Sequence, residues 1–102
     1  MAEYVEVANA ADLPVGAGKA IEVRGKPIAV FNVGGSFHAI DNVCKHRGGS
    51  LGDGTLDDNM VTCPLHMWRY DVTTGQCETV PGEDERSYQT MTKEGKVYVL
   101  LD

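Results

Sequence analysis

Short apolar segments rich in β-branched and aromatic residues recur at close intervals along the chain, and none extends far enough to make a long helix. Tyr4 to Val7, Ala20 to Val23 and Pro27 to Val33 read as strands, and Gly34-Gly35 turns the last of these into Ser36 to Ile40 as a hairpin. Ser87 to Lys93 and Lys96 to Leu101 form a second hairpin, turned at Glu94-Gly95. Asn9 to Leu13 has room for one helical turn, which Pro14 stops. Strand alternation sets His38 apart from Phe37 and Ala39 and puts it at a surface position. With 12 glycines and several short strands in 102 residues, the pattern predicts an all-β fold: a compact antiparallel β-sandwich or barrel in a single domain, residues 1 to 102.

The middle of the chain behaves as an inserted unit. Residues 44 to 50 leave the strand that ends near Ile40. Leu56 to Asp58 and Met60 to Cys63 read as a short hairpin about Asn59, and Arg69 to Val72 returns toward a turn at Thr74-Gly75. The consequence is that two loop tips are brought together, within a segment of about residues 42 to 82.

Those tips carry the chemistry. Cys44-Lys45-His46 is followed, after 16 residues, by Cys63-Pro64-Leu65-His66. Each loop supplies one thiolate and one imidazole. Two metal ions are chelated if both sulfurs go to one and both nitrogens to the other, as a [2Fe–2S] cluster allows. Exchanging two thiolates for two neutral imidazoles makes the cluster less negative, so an electron is added more easily and the potential rises. A single tetrahedral zinc ion held by two Cys and two His is the competing reading, and it gives a colourless binding module without redox function. Zinc sites commonly pair like with like at C-x₂₋₄-C and H-x₃₋₅-H, from which the one-residue gap between Cys44 and His46 departs.

Composition narrows the function further. A formal net charge of −6 argues against nucleic acid, which needs a basic face, and favours steering toward a basic patch on a protein partner. Glu83-Asp84-Glu85 and Asp57-Asp58 are the acidic runs available for this, although each also reads as a solvated loop. No apolar run approaches the ~20 residues needed to span a bilayer, and the start Met1-Ala2-Glu3-Tyr4 lacks a signal-peptide pattern. The expectation is a cytoplasmic protein with no membrane partner. Two of the 3 cysteines are spent as ligands, which leaves Cys77 as a small bystander with nothing to pair to. No nucleophile–base pair stands apart from the ligand residues, so catalysis by this chain is not expected.

The spacing C-x-H and C-x₂-H resembles the Rieske family. So, more loosely, do Arg47-Gly48-Gly49, the run Cys63 to Asp71 and Thr74-Gly75, which look like the small Rieske ferredoxins of bacterial oxygenase systems. The small subunit of assimilatory nitrite reductase is similar over the same stretch. The resemblance implies a β-sandwich or barrel of Rieske type with a small inserted cluster-binding subdomain and one [2Fe–2S] cluster per chain. Cys44 and Cys63 would hold the inner iron, and His46 and His66 the outer iron at the surface, where the electron resides and leaves. It also implies a one-electron carrier of low potential between a flavoprotein ferredoxin reductase and a terminal oxygenase. The alternative is a fixed subunit of a nitrite reductase-type complex.

Further residues follow from the same resemblance. Gly48 and Gly49 would let backbone N–H groups approach the cluster sulfides. Pro81, in Val80-Pro81-Gly82, falls where Rieske domains place a loop over the cluster. Leu51, Leu65, Met67 and Trp68 would form an apolar collar, with core packing the other role open to Leu51, Met67 and Trp68. High-potential relatives carry an extra cysteine in each loop and a serine after the second histidine. The matching positions here are Gly49, Leu65 and Trp68, which points to the lower end of the roughly −150 to +300 mV Rieske range. Tyr70 stands where those relatives have a tyrosine donating to a ligand sulfur, so its hydroxyl would raise the potential somewhat above that floor.

Overall fold

Ile28, Ala29, Val30 and Phe31 are all buried, so the strand that carries them faces apolar surroundings on both sides. The computed structural model describes residues 2–44, 49–65 and 67–101. Its strands are β1 (Glu3–Asn9), β2 (Gly18–Val23), β3 (Lys26–Val33), β4 (Ser36–Asp41), β5 (Thr55–Asp57), β6 (Met60–Thr62), β7 (Arg69–Asp71), β8 (Ser87–Tyr88), β9 (Thr90–Lys93) and β10 (Lys96–Leu101). They make three antiparallel sheets: β1-β10-β9, β2-β3-β4-β8 and, apart from these, β5-β6-β7.

The alternation of side chains along β3 explains how the three sheets stack. Ile28 and Val30 point into a core shared with Leu13, Ala39, Val97, Val99 and Leu101, which joins the first two sheets. Ala29 and Phe31 point the other way, into a second core with Ile40, Leu51, Val61, Tyr70, Val72 and all three cysteines. The small sheet and its loops therefore sit on the outer face of the central sheet, as the inserted unit expected from the sequence. The single helical turn is a 3₁₀ turn at Ala10–Asp12, and a second lies at Leu51–Asp53.

Two features depart from the sequence pattern. Ser87 to Lys93 is not one strand, because β8 pairs with β4 of the central sheet and β9 pairs with β10 of the outer one. Gln89 lies between them, and its carbonyl accepts the Leu100 N–H at 2.9 Å. The β2–β3 hairpin, turned at Arg24-Gly25, has the same positive-φ pair as Glu94-Gly95, the geometry that suits a two-residue hairpin. His38 pairs with Phe31 in the middle of the central sheet and is half-buried rather than at the surface. No helix among the described residues is long and apolar enough to cross a membrane.

Candidate metal centre

The first loop leaves β4 at Asp41, whose carboxylate accepts a hydrogen bond from the Tyr88 hydroxyl. Burial, then the hydrogen bond and charge of Asp41, push the Tyr88 pKa up to about 12. Arg86 lies 4.9 Å over the same ring. Beyond Asp41, Val43 bridges to Ser50 and the Cys44 N–H donates to the Gly49 carbonyl at 2.8 Å, closing the base of the loop. The Cys44 thiol is thereby turned into the second core, where the residue is only 1% exposed.

The second loop follows β6. The Cys63 N–H donates to the Trp68 carbonyl at 2.7 Å and the Met67 N–H to the Cys63 carbonyl at 3.0 Å, making a tight turn before β7. Met67 closes it with φ +62°, a left-handed conformation that costs a residue with a side chain of this size about 1 kcal/mol or more. Cys63 is fully buried.

The two loops touch. A Cβ placed on Gly49 would lie 2.7 Å from Cys63 Sγ and 3.3 Å from Leu65 Cγ and Cδ1, so only glycine fits between them. The Gly49 carbonyl also accepts the Cys44 N–H, so this glycine contacts a cysteine from each loop. Tyr70 Oη lies 3.4 Å from Cys44 Sγ. Tyr70 is itself buried, paired with Val61 on β6 and bridged to Cys77.

Two buried cysteines, neither in a disulfide, one bonded by its backbone to Gly49 and approached at its sulfur by a hydroxyl, the other with its sulfur against that same glycine, form a cradle that suits a thiolate-bound metal group. Each of these cysteines has a histidine two or three residues further along the chain, His46 and His66, both outside the described residues. Among the described residues no three His, Cys, Asp or Glu side chains converge. A family model of the Rieske [2Fe-2S] domain matches residues 3–98. The chain belongs to the Rieske [2Fe–2S] family.

Relatives agree with this membership. The ferredoxin component of the naphthalene 1,2-dioxygenase/salicylate 5-hydroxylase systems of a Ralstonia species is 32% identical over 100 residues, covering 97% of this chain and 96% of that protein. A ferredoxin chain solved in a complex of reduced oxygenase and oxidized ferredoxin of carbazole 1,9a-dioxygenase superposes with a TM-score of 0.86 at 34% identity, over 94% of this chain and 91% of that one. An NADH-dependent nitrite reductase small subunit from Mycobacterium tuberculosis superposes with a TM-score of 0.90 over 100% of this chain and 97% of that one. At 24% identity it shows the shared fold alone.

The remaining residues of this Rieske site take distinct places. Leu65 and Met67 are 63% and 68% exposed, and Val43, which the sequence did not single out, is 44% exposed beside Cys44. These three leave apolar surface exposed close in the chain to Cys44 and Cys63. Leu51 does not, because it is fully buried in the second core. Trp68 is half-buried and packs with Val80 against that core. Pro81 is exposed on the rim of a 270 Å³ cavity that it shares with Met60, Asp71, Gln76, Cys77 and Glu78. Gly48 lies outside the described residues. Cys77 is buried, its sulfur accepting the Val80 N–H at 3.4 Å and its own N–H bound to Asp84 Oδ1 at 2.9 Å.

Charge is distributed unevenly around the site. Residues 49–86 contain 8 acidic and 2 basic residues, so this segment alone accounts for the formal −6 of the whole chain. Burial works against the Asp71 carboxylate. Hydrogen bonds from the Thr73 side chain and backbone, from Asn59 and from the Thr74 backbone outweigh it and hold its pKa below the usual carboxylate value.

Proposed function

We propose that this Rieske protein is a cytoplasmic one-electron carrier that takes electrons from a flavoprotein ferredoxin reductase and delivers them to a terminal oxygenase. The observation that carries the reading is the exposure of the apolar residues Val43, Leu65 and Met67, each next to or within four residues of a buried cysteine, in a chain that matches an oxygenase ferredoxin component along nearly its whole length. Cys44 and Cys63 would hold one iron and His46 and His66 the other. When bound, the [2Fe–2S] cluster supplies reversible one-electron chemistry.

The chain's own residues then set the conditions for transfer. Gly49 leaves space beside Cys63 and presents backbone rather than side chain to the site. The Tyr70 hydroxyl lies 3.4 Å from Cys44 Sγ, and with the thiolate bound to iron it would be the donor and favour the more negative, reduced state. Leu65, Met67 and Val43 exclude water and offer a small contact surface suited to a transient complex. Trp68 and Val80 back this surface from inside, with Pro81 at the turn beyond them. The acidic segment around Asp57, Asp58, Glu83 and Asp84 steers the protein toward a basic surface, an effect that falls with salt.

Stopped-flow reduction with a class-matched flavoprotein reductase and NADH tests the proposal. It should give a saturable, salt-sensitive transfer of one electron per chain, and addition of a ring-hydroxylating oxygenase should discharge it. Failure of reductase and oxygenase to exchange electrons with the cluster-loaded protein would refute the carrier role.

A further inference from the structure

The base of the first ligand loop is held by a side chain that none of the family motifs contains. Asn42 is the residue between β4 and Val43, and every hydrogen-bonding group it has is engaged. Its N–H donates to the Pro27 carbonyl at 3.0 Å, extending the β3–β4 ladder by one rung, and its carbonyl accepts the Leu51 N–H at 2.8 Å. Its Nδ2 donates to Ser50 Oγ at 3.0 Å, while Oδ1 accepts the Gly52 N–H at 2.7 Å and stands 3.4 Å from Ser50 Oγ. Three of its partner residues, Ser50, Leu51 and Gly52, lie on the returning limb.

That limb is itself immobilised against the sandwich. Leu51 is fully buried, and a Cβ on Gly52 would lie 2.5 Å from the Ala20 nitrogen on β2, so Gly52 is pressed against the strand backbone. Short polar side chains at loop entrances commonly cap the backbone locally. Here the side chain instead spans the loop mouth and fastens the limb that bears Cys44 to a limb seated on β2.

We propose that Asn42 is a positioning residue that fixes the Cys44 thiol for cluster binding, by clamping the loop base independently of the ligands. The inference rests on the carrier reading only for what the thiol binds. The clamp is a property of the fold itself.

The test uses the cluster-loaded full-length protein and the variants Asn42→Ala, Asn42→Asp and Ser50→Ala. It follows cluster release to a chelator by visible circular dichroism and amide exchange by mass spectrometry. Removing the side-chain hydrogen bonds to Ser50 and Gly52 predicts that Asn42→Ala speeds release and exchange at Cys44, Leu51 and Gly52 by about tenfold. Exchange at Val97 and Val99 in the first core stays unchanged. Asn42→Asp keeps an acceptor for the Gly52 N–H and for the Ser50 hydroxyl, so it should restore retention. Ser50→Ala, which loses one partner, should fall between and keeps the question open to decision if Asn42→Ala does not fold. Unchanged release in Asn42→Ala and Ser50→Ala, or acceleration shared equally by Val97 and Val99, would overturn the positioning role. Wild-type protein that binds no cluster would be a failure of the carrier reading instead, and exchange at Cys44 would still decide the role of Asn42.

Discussion

Substituting Tyr70 by Phe removes a single hydroxyl from a fully buried ring and leaves the packing against Val61 and Cys77 in place. Among the described residues, Cys44 Sγ, 3.4 Å away, loses a neighbour. An iron-bound sulfur gains negative charge on reduction, and hydrogen bonds to charged acceptors are worth about 1 kcal/mol more than neutral ones. The reduced state should therefore lose about 1 kcal/mol more than the oxidised one. At about 59 mV per tenfold for one electron, this corresponds to a midpoint about 40 mV lower. A redox titration followed by visible circular dichroism, with Tyr98→Phe on β10 as the control, would measure it. A shift of less than about 10 mV, or one upward, would refute the reasoning, because a donor to the ligand sulfur cannot leave the reduced state unaffected.

Gly49→Ala should lower cluster occupancy several-fold, read as iron and sulfide per chain, because the new methyl group would occupy space 2.7 Å from Cys63 Sγ. Cys77→Ala should destabilise the chain by about 1 kcal/mol in denaturant unfolding, from the methylene-sized loss in a packed core, with cluster content unchanged. Met67→Gly relieves a left-handed φ of +62° and should leave thermal stability equal or higher, while slowing reduction by the reductase through loss of an exposed apolar contact. The raised pKa of Tyr88 means that the folded state holds its proton where the unfolded chain has lost it. Its contribution to stability is complete below the ordinary tyrosine pKa of 10.0 and disappears as pH rises toward about 12. Denaturant midpoints across that window should fall in the wild type and fall less in Tyr88→Phe.

The strands were legible because β-rich segments and glycine turns mark them directly, as in the hairpin from Pro27 through Gly34-Gly35 to Ile40. Their assignment to sheets was less so. Nothing in Ser87 to Lys93 signals that Tyr88 and Thr90 belong to different sheets, since the crossover depends on which partner strand lies alongside. The continuous burial of Ile28 to Phe31 was visible as an apolar run, but its meaning, a strand serving two cores, required the third sheet to be in place. Spacing alone singles out Cys44 and Cys63, and the structure buries both in the second core. The resemblance implies that Tyr70 meets a ligand sulfur without saying which, and the structure places its hydroxyl beside Cys44. The roles of Val43 and Asn42 were hidden, because exposure beside a ligand and a clamp across a loop mouth depend on the returning limb near Ser50. Leu51 illustrates the reverse: an apolar residue near the ligands in sequence turned out to be core, because the 3₁₀ turn at Leu51–Asp53 directs it inward.

The two loops are expected to hold a cluster that exchanges one electron at low potential. A reductive titration of the purified protein, followed by visible circular dichroism and electron paramagnetic resonance, tests it most directly. The account predicts a coloured protein with a single reversible one-electron transition in the lower part of the roughly −150 to +300 mV Rieske range. A colourless protein with no transition, prepared anaerobically with iron and sulfide supplied, would contradict it.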